Sequence, residues 1–190
     1  RVGALDYLTG SVVDASQLPA RSSYLPSVFV VPPGNVRSYQ LAIGVSEAFN
    51  RWVFLVNSLV MTTGSQLVLV DLPANAPMTL LIPALVTSHI INVVLDHAAY
   101  SEYVLREVDD MYIQPMMTQL RYRKIVNVVL NKAVPGVDTI DARVRGFAHN
   151  GDVFVIPMSP IAHYLTSTMK PAILYEPKGS LANFRKALEA

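Results

Sequence analysis

Histidines are candidates for acid–base catalysis and metal binding, because imidazole is the usual acid–base group near neutral pH and a common metal ligand. The four histidines are spread along the chain, and none forms the i, i+4 pair of a zinc-protease helix or the spacing of a zinc finger. Cysteine is absent, which excludes disulfides, thiolate catalysis and cysteine-bound metal. We therefore expect neither a metal nor a cofactor at these histidines, which are His89, His97, His149 and His163.

Asp71, Asp96 and His97 are the candidate residues for a small catalytic site. Asp96 and His97 are adjacent and follow an apolar run, where α/β proteins often place functional groups, and a carboxylate can orient an imidazole. Asp71 ends a Leu-Val-Leu-Val run, as does the magnesium-binding aspartate of P-loop nucleotide hydrolases, but the glycine-rich phosphate loop of those enzymes is absent. The alternative interpretation of Asp96 and His97 is a helix cap beside a surface histidine.

Five basic residues form the candidate site for contact with phosphate groups. Arg121, Arg123 and Lys124 lie together, and Arg143 and Arg145 follow in a predicted hairpin. Period-two spacing places each pair of arginines on one face of a strand, which suits weak, sequence-independent contact with nucleic acid. The alternative is a polar strand face that pairs with nearby carboxylates, namely Asp138, Asp141 and Asp152.

Acidic residues around Asp109 and Asp110 could in principle bind a divalent cation. Alternating acidic and apolar residues are more typical of a solvated helix face, and the ligand spacing of a calcium loop is absent. We therefore interpret this acidic group as a solvated surface.

Residues 46–63 predict the helix around which the other elements are arranged. Polar residues recur there at spacings of three, four and seven, as on one narrow face of a mostly buried helix. Ser46 is the expected N-cap, and Gly64 can adopt the left-handed conformation that ends a helix. The alternative is a pair of strands that turn near Thr63 and Gly64. Residues 66–72 then predict a core strand covered on both faces.

Runs of β-branched residues, alternation of apolar and polar residues, and glycines and prolines that end an element predict the remaining helices and strands. Residues 96–111 predict a helix capped by Asp96, with its exit at Pro115 and an inward side of Ala99, Tyr103, Val104, Leu105 and Val108. Short helices are expected at 161–168 and 181–190, the latter capped by Ser180. Strands are expected at 27–31 and 37–45, which form a hairpin through Pro32-Pro33-Gly34-Asn35, and at 78–82, 89–95, 121–131 and 171–175.

Asn150-Gly151 carries the strongest local signal for a hairpin. Residues 140–147 alternate in polarity, and an apolar run at 152–156 follows the dipeptide. Both central residues of a type I′ turn need positive φ, which Asn and Gly adopt readily. We therefore predict two antiparallel strands joined at this turn.

Composition bounds the fold and the class of function. The chain is 52% hydrophobic and only 15% charged, with a net charge of +1, so neither nucleic acid nor an anionic membrane is indicated globally. The fold class expected is mixed α+β with mostly antiparallel sheets, comprising an extended arm or lead-in at 1–26 and one globular domain at 27–190. Prolines and polar residues interrupt the apolar stretches, so we expect no membrane span, and no signal-peptide pattern is recognisable.

The excess of apolar residues without a membrane span predicts burial against other subunits. The function expected is therefore a non-enzymatic structural subunit of an ordered assembly, such as a capsid-like shell or coat in a virion. Its partners would be further copies of itself or other subunits. The alternatives are a small enzyme at Asp71, Asp96 and His97, and a nucleic-acid-binding module that uses the basic residues.

Overall fold

The computed structural model describes residues 2–35, 43–96, 101–119, 123–134, 142–168, 175 and 179–189. The chain divides into two compact units, Arg1–Thr87 and Ser88–Ala190. Helices accompany a two-stranded antiparallel sheet and a three-stranded parallel sheet, so the mixed α+β class is confirmed. The predicted boundary at residue 26 and the single domain over 27–190 stay predictions.

The first unit is mainly helical. It contains α1 (Ala4–Leu8), a 3-10 helix (Ala15–Gln17), the short strands β1 (Ala20–Arg21) and β2 (Phe29–Val30), α2 (Val45–Thr63) and α3 (Met78–Thr87). Residues of the expected arm enter its core, because Leu5, Leu8, Ala15 and Leu18 are buried with Trp52, Leu55, Leu80 and Ala84.

Helix α2 confirms the predicted helix and excludes the pair of strands. Gly64, with φ of 67°, ends it, and its N–H donates to the carbonyl of Val60 over 2.8 Å. The N-cap is Gly44 without a side-chain bond, so the prediction of a Ser46 cap is wrong. Burial is limited to one stripe at a spacing of three to four residues, formed by Ala48, Trp52 and Leu55.

Two predicted strands of the first unit are absent. Residues 78–82 belong to α3, which continues through Pro83. The free energy gained by burying Leu80 and Ala84 in the core of the unit exceeds the cost of the backbone hydrogen bond that Pro83 cannot donate. Residues 66–72 form neither a helix nor a strand, so the prediction of a core strand there is wrong.

The predicted hairpin at 27–45 is only partly described, because residues 36–42 lie outside the described residues. Strand β2 lies within the predicted 27–31 strand, but it pairs with β1. The carbonyls of Pro32 and Pro33 accept hydrogen bonds from Ala4 and Leu5, so this proline turn holds the start of α1.

The second unit is built on a parallel sheet in the order β3-β4-β5, formed by Ile90–Asp96, Ile125–Ala133 and Val153–Pro157. The expectation of mostly antiparallel strands is therefore corrected for the larger sheet. Its helices are α4 (Ser101–Val108), a π-helix (Asp109–Ile113), α5 (Gln114–Gln119), α6 (Ala142–Gly146), α7 (Pro160–Ser167) and α8 (Ser180–Glu189). The predicted strand at 89–95 and the predicted C-terminal helices are confirmed within the described residues. The strand predicted at 121–131 begins only at Ile125, after its basic residues, and Ser180 is the first residue of α8 rather than its cap.

Helices connect the parallel strands, as such strands require. The predicted helix at 96–111 is present in α4 and the π-helix, but Asp96 is the last residue of β3 rather than a cap. Helix α5 continues past Pro115, which the wide π-helical turn precedes. Leu105 is buried, whereas Tyr103 and Val104 are exposed, because only one stripe of α4 meets the sheet.

The predicted hairpin at Asn150-Gly151 is wrong. Residues 142–146 form α6, and β5 pairs with β4 in parallel. Asn150 has φ of 54°, but Gly151 is outside the left-handed region. Glycine is required at 151 by close approach, since a Cβ there would lie 2.4 Å from Oδ1 of Asn127. The predicted strand at 171–175 lies outside the described residues except for Tyr175.

Candidate functional site

The basic residues do not form the shared strand face that their spacing predicts. Arg145 lies on α6 and is exposed, and Arg143 belongs to the same helix, with its side chain outside the described part. Because residues 142–146 form a helix and not a strand, the prediction that these two arginines share one sheet face is wrong. Arg121 lies outside the described residues, and Arg123 is exposed just before β4.

Among the described members of this group, Lys124 has a buried side chain. Its Nζ donates a hydrogen bond to the backbone carbonyl of Ser88. Burial penalises the charged amine and lowers the pKa of Lys124. This hydrogen bond links the residue just before β4 to the chain just before β3, and the Lys124 side chain is largely shielded from solvent.

The residues of the candidate catalytic site belong to different units. Asp71 lies in the first unit and is exposed, and Asp96 lies in the second unit at the end of β3. Oδ2 of Asp96 accepts a bond of 2.8 Å from Nζ of Lys132, and Oδ1 accepts one of 3.3 Å from Asn131. Both charged side chains are more than half exposed, so this is a solvated ion pair. His97 lies outside the described residues.

A carboxylate–imidazole pair, which sequence analysis did not identify, lies near the amino ends of the strands. Nε2 of His149 is 2.6 Å from Oδ1 of Asp109, and both side chains are largely shielded from solvent. Asp109 begins the π-helix, and the carbonyl of His149 accepts the N–H of Val126 from β4. The pair joins the helical connection to the loop before β5.

This location favours a structural role for the pair. Functional groups of open α/β sheets usually collect at the carboxyl ends of the strands, whereas Asp109 and His149 lie near the opposite end. No group of three or more metal-ligating side chains is present within the described residues. Forty residues separate the two partners, so no local spacing in the sequence could have shown their contact.

Exposed apolar side chains are the other distinctive feature, and they occur in both units. In the first unit, residues 66–72, which we call the open segment, carry Leu67 and Leu69 at 72% and 84% exposure. In the second unit, Ile90, Val94 and Ile125 are exposed on one face of the parallel sheet. Parallel sheets are normally covered on both faces, and monomeric proteins rarely expose large contiguous apolar patches.

No helix within the described ranges has both the length and the apolarity needed to cross a bilayer. Comparison with known protein families, with curated proteins and with solved structures finds no match to this chain.

Proposed function

We propose that this chain is a non-enzymatic structural subunit of an ordered multi-subunit assembly, such as a capsid-like shell or coat. The observation that carries this proposal is the open segment, in which residues 67–70 are all apolar and Leu67 and Leu69 are largely exposed to solvent. Transfer of such side chains from water to a protein interface is favourable by about 25 cal/mol per Å² of apolar area.

Composition supports the same proposal independently. With only 15% charged residues, the chain has fewer charges than the quarter or so that is typical of soluble domains. Exposed apolar residues on the parallel sheet, Ile90 and Val94 in β3, add to the surface that a partner would cover. A subunit of an assembly would account for both the low charged fraction and the exposed apolar side chains, because burial between subunits removes apolar surface without requiring more surface charge.

The two alternatives gain no comparable support. Lys124 directs its amine to a backbone carbonyl, which weakens the case for a phosphate-binding cluster built on that residue. Asp96 pairs with Lys132 at the surface, which is an ordinary arrangement for a solvated carboxylate. These contacts leave the structural subunit as the best-supported function.

Absolute mass in solution tests this proposal. Static light scattering should give a mass well above 20.8 kDa that is stable over a wide range of concentration and shows a defined stoichiometry. Leu69→Asp should lower the mass, because it places a charge where an apolar contact is expected. Val13→Asp is the matched control, because Val13 is a 90% exposed residue of the same unit. A wild-type protein that stays monomeric at high concentration would contradict the proposal.

A further inference from the structure

Side-chain exposure along the open segment alternates as it does along a strand. It is 72% and 84% at Leu67 and Leu69 and 40% and 42% at Val68 and Val70. Leu72 packs against the core of the first unit. Alternation with period two, the period of a strand, groups the less exposed Val68 and Val70 with Leu72 and leaves the more exposed leucines on the other side.

Its backbone has no partner within the described residues. No hydrogen bond joins a backbone group of residues 66–72 to any described part of the chain. The longest strands described in the first unit, β1 and β2, have two residues each and already pair with one another. Among the described residues of the first unit, the seven-residue run therefore has no strand of comparable length beside it.

We propose that the open segment pairs antiparallel with the same segment of a second copy, about a two-fold axis at Leu69. The inference rests on the proposed function and specifies one of its interfaces. Unpaired N–H and C=O groups along a strand-like run are a template for another strand. Two-fold contacts between identical surfaces are the commonest way in which protein subunits associate.

The single charge of the segment supports this arrangement. With the axis at Leu69, Asp71 lies opposite the partner's Leu67, and Val68 lies opposite the partner's Val70. Parallel, in-register pairing would instead place the two Asp71 carboxylates side by side, which like-charge repulsion disfavours. The antiparallel register thus keeps the two carboxylates apart and puts branched apolar side chains against each other.

Disulfide cross-linking tests both the surface and its register, since the chain has no cysteine of its own. In the proposed register the two copies of residue 69 are directly opposite, at the Cα separation of about 4.5–5.5 Å that a disulfide can bridge. Leu69→Cys should therefore form a covalent dimer under mild oxidation of the full chain.

Two control variants make the result specific. In the same register the two copies of residue 66 are roughly 20 Å apart, so Gln66→Cys should not cross-link within the pair. Val13→Cys reports random collision of exposed thiols. We expect Leu69→Cys to react at least about 10-fold faster than either control. Equal rates in all three variants would overturn the inference.

Association of an aspartate variant is a second test, which does not depend on whether the cysteine substitution itself disrupts assembly. Leu69→Asp places two carboxylates opposite each other at the axis and should weaken association about 10-fold or more, whereas Val13→Asp should leave it unchanged. If the wild type assembles but neither Leu69 variant responds as expected, the inference fails and the proposed function stands. If the wild type is monomeric, both fail.

Discussion

Strand β3 and the open segment are similar in sequence and opposite in structure. Each has seven residues, of which five are Val, Leu or Ile, and carries one aspartate at or near its end. Strand β3 is paired with β4 along its whole length, from Ile90 opposite Ile125 to Asp96 opposite Asn131, whereas the open segment is unpaired among the described residues. The residue pattern allows a run to form a strand, but the run becomes a strand only when a neighbouring strand accepts and donates its backbone hydrogen bonds.

The two units differ in whether the described part of the chain supplies that neighbour. In the second unit, a helical connection returns the chain to β4 beside β3, and Ile91 and Leu95 are buried. In the first unit, the chain enters a turn after the open segment and continues into α3. Among the described residues of the first unit, the seven-residue run therefore has no strand beside it.

The largest expected effect comes from the core beneath β3. Leu105 of α4 is 2% exposed and packs in a cluster with Leu95 and Val128. Leu105→Ala should lower the free energy of unfolding by about 2–5 kcal/mol, because it removes buried methyl groups and leaves a cavity. Urea denaturation followed by circular dichroism measures this change. A loss under about 1 kcal/mol would show that α4 contributes little to the support of β3.

The Asp109–His149 pair should give the next largest effect. Asp109→Asn and His149→Ala each disrupt a largely shielded hydrogen bond and should lower the free energy of unfolding by about 1–3 kcal/mol. The double variant should cost less than the sum of the single variants, because both remove the same contact. Strict additivity in this cycle would mean that the two side chains do not interact in solution.

Lys124 should produce a smaller effect that is visible as a dependence on pH. Burial lowers its pKa in the folded state, so between that lowered value and the ordinary value of about 10.4 the unfolded chain binds more protons. The free energy of unfolding should therefore gain a contribution that rises with pH across this alkaline window. Denaturant unfolding at a series of alkaline pH values should show that Lys124→Met removes this contribution. An unchanged slope would mean that the amine is solvated.

The smallest effect on the free energy of unfolding is expected for a substitution in the open segment. This effect contrasts with the large effect expected at Leu105. Leu69→Ala should change the free energy of unfolding of the dissociated protein by no more than about 0.5 kcal/mol, because Leu69 is 84% exposed. The measurement is urea denaturation at high dilution. A loss comparable to that of Leu105→Ala would show that Leu69 packs within its own subunit.

The elements that sequence analysis predicted correctly depend mainly on local patterns. Helix α2 follows from a regular spacing of polar residues and from Gly64, and β3 follows from its β-branched run. The incorrect predictions depend on tertiary context. Residues 140–147 alternate like a strand, but Val144 and Phe147, three residues apart, pack on the cluster at Leu95 and Leu105 from α6 and the turn after it.

The candidate sites show the same limit. The predicted grouping of the basic residues depends on two strands, and it fails because residues 142–146 form a helix. Asp109 was interpreted as part of a solvated acidic face, whereas its partner His149 lies beyond β4 and only the fold brings them together. The apolar excess was visible in composition, but which of its residues remain exposed required the structure.

Hydrogen exchange of the backbone amides in residues 66–72, measured against those of β4, tests the central claim most directly. Strand β4 lies between β3 and β5, so its amides should be protected in dilute and concentrated protein alike. Amides of the open segment should exchange rapidly in dilute protein and become protected at concentrations where light scattering shows assembly. Rapid exchange of residues 66–72 in the fully assembled protein would contradict the account.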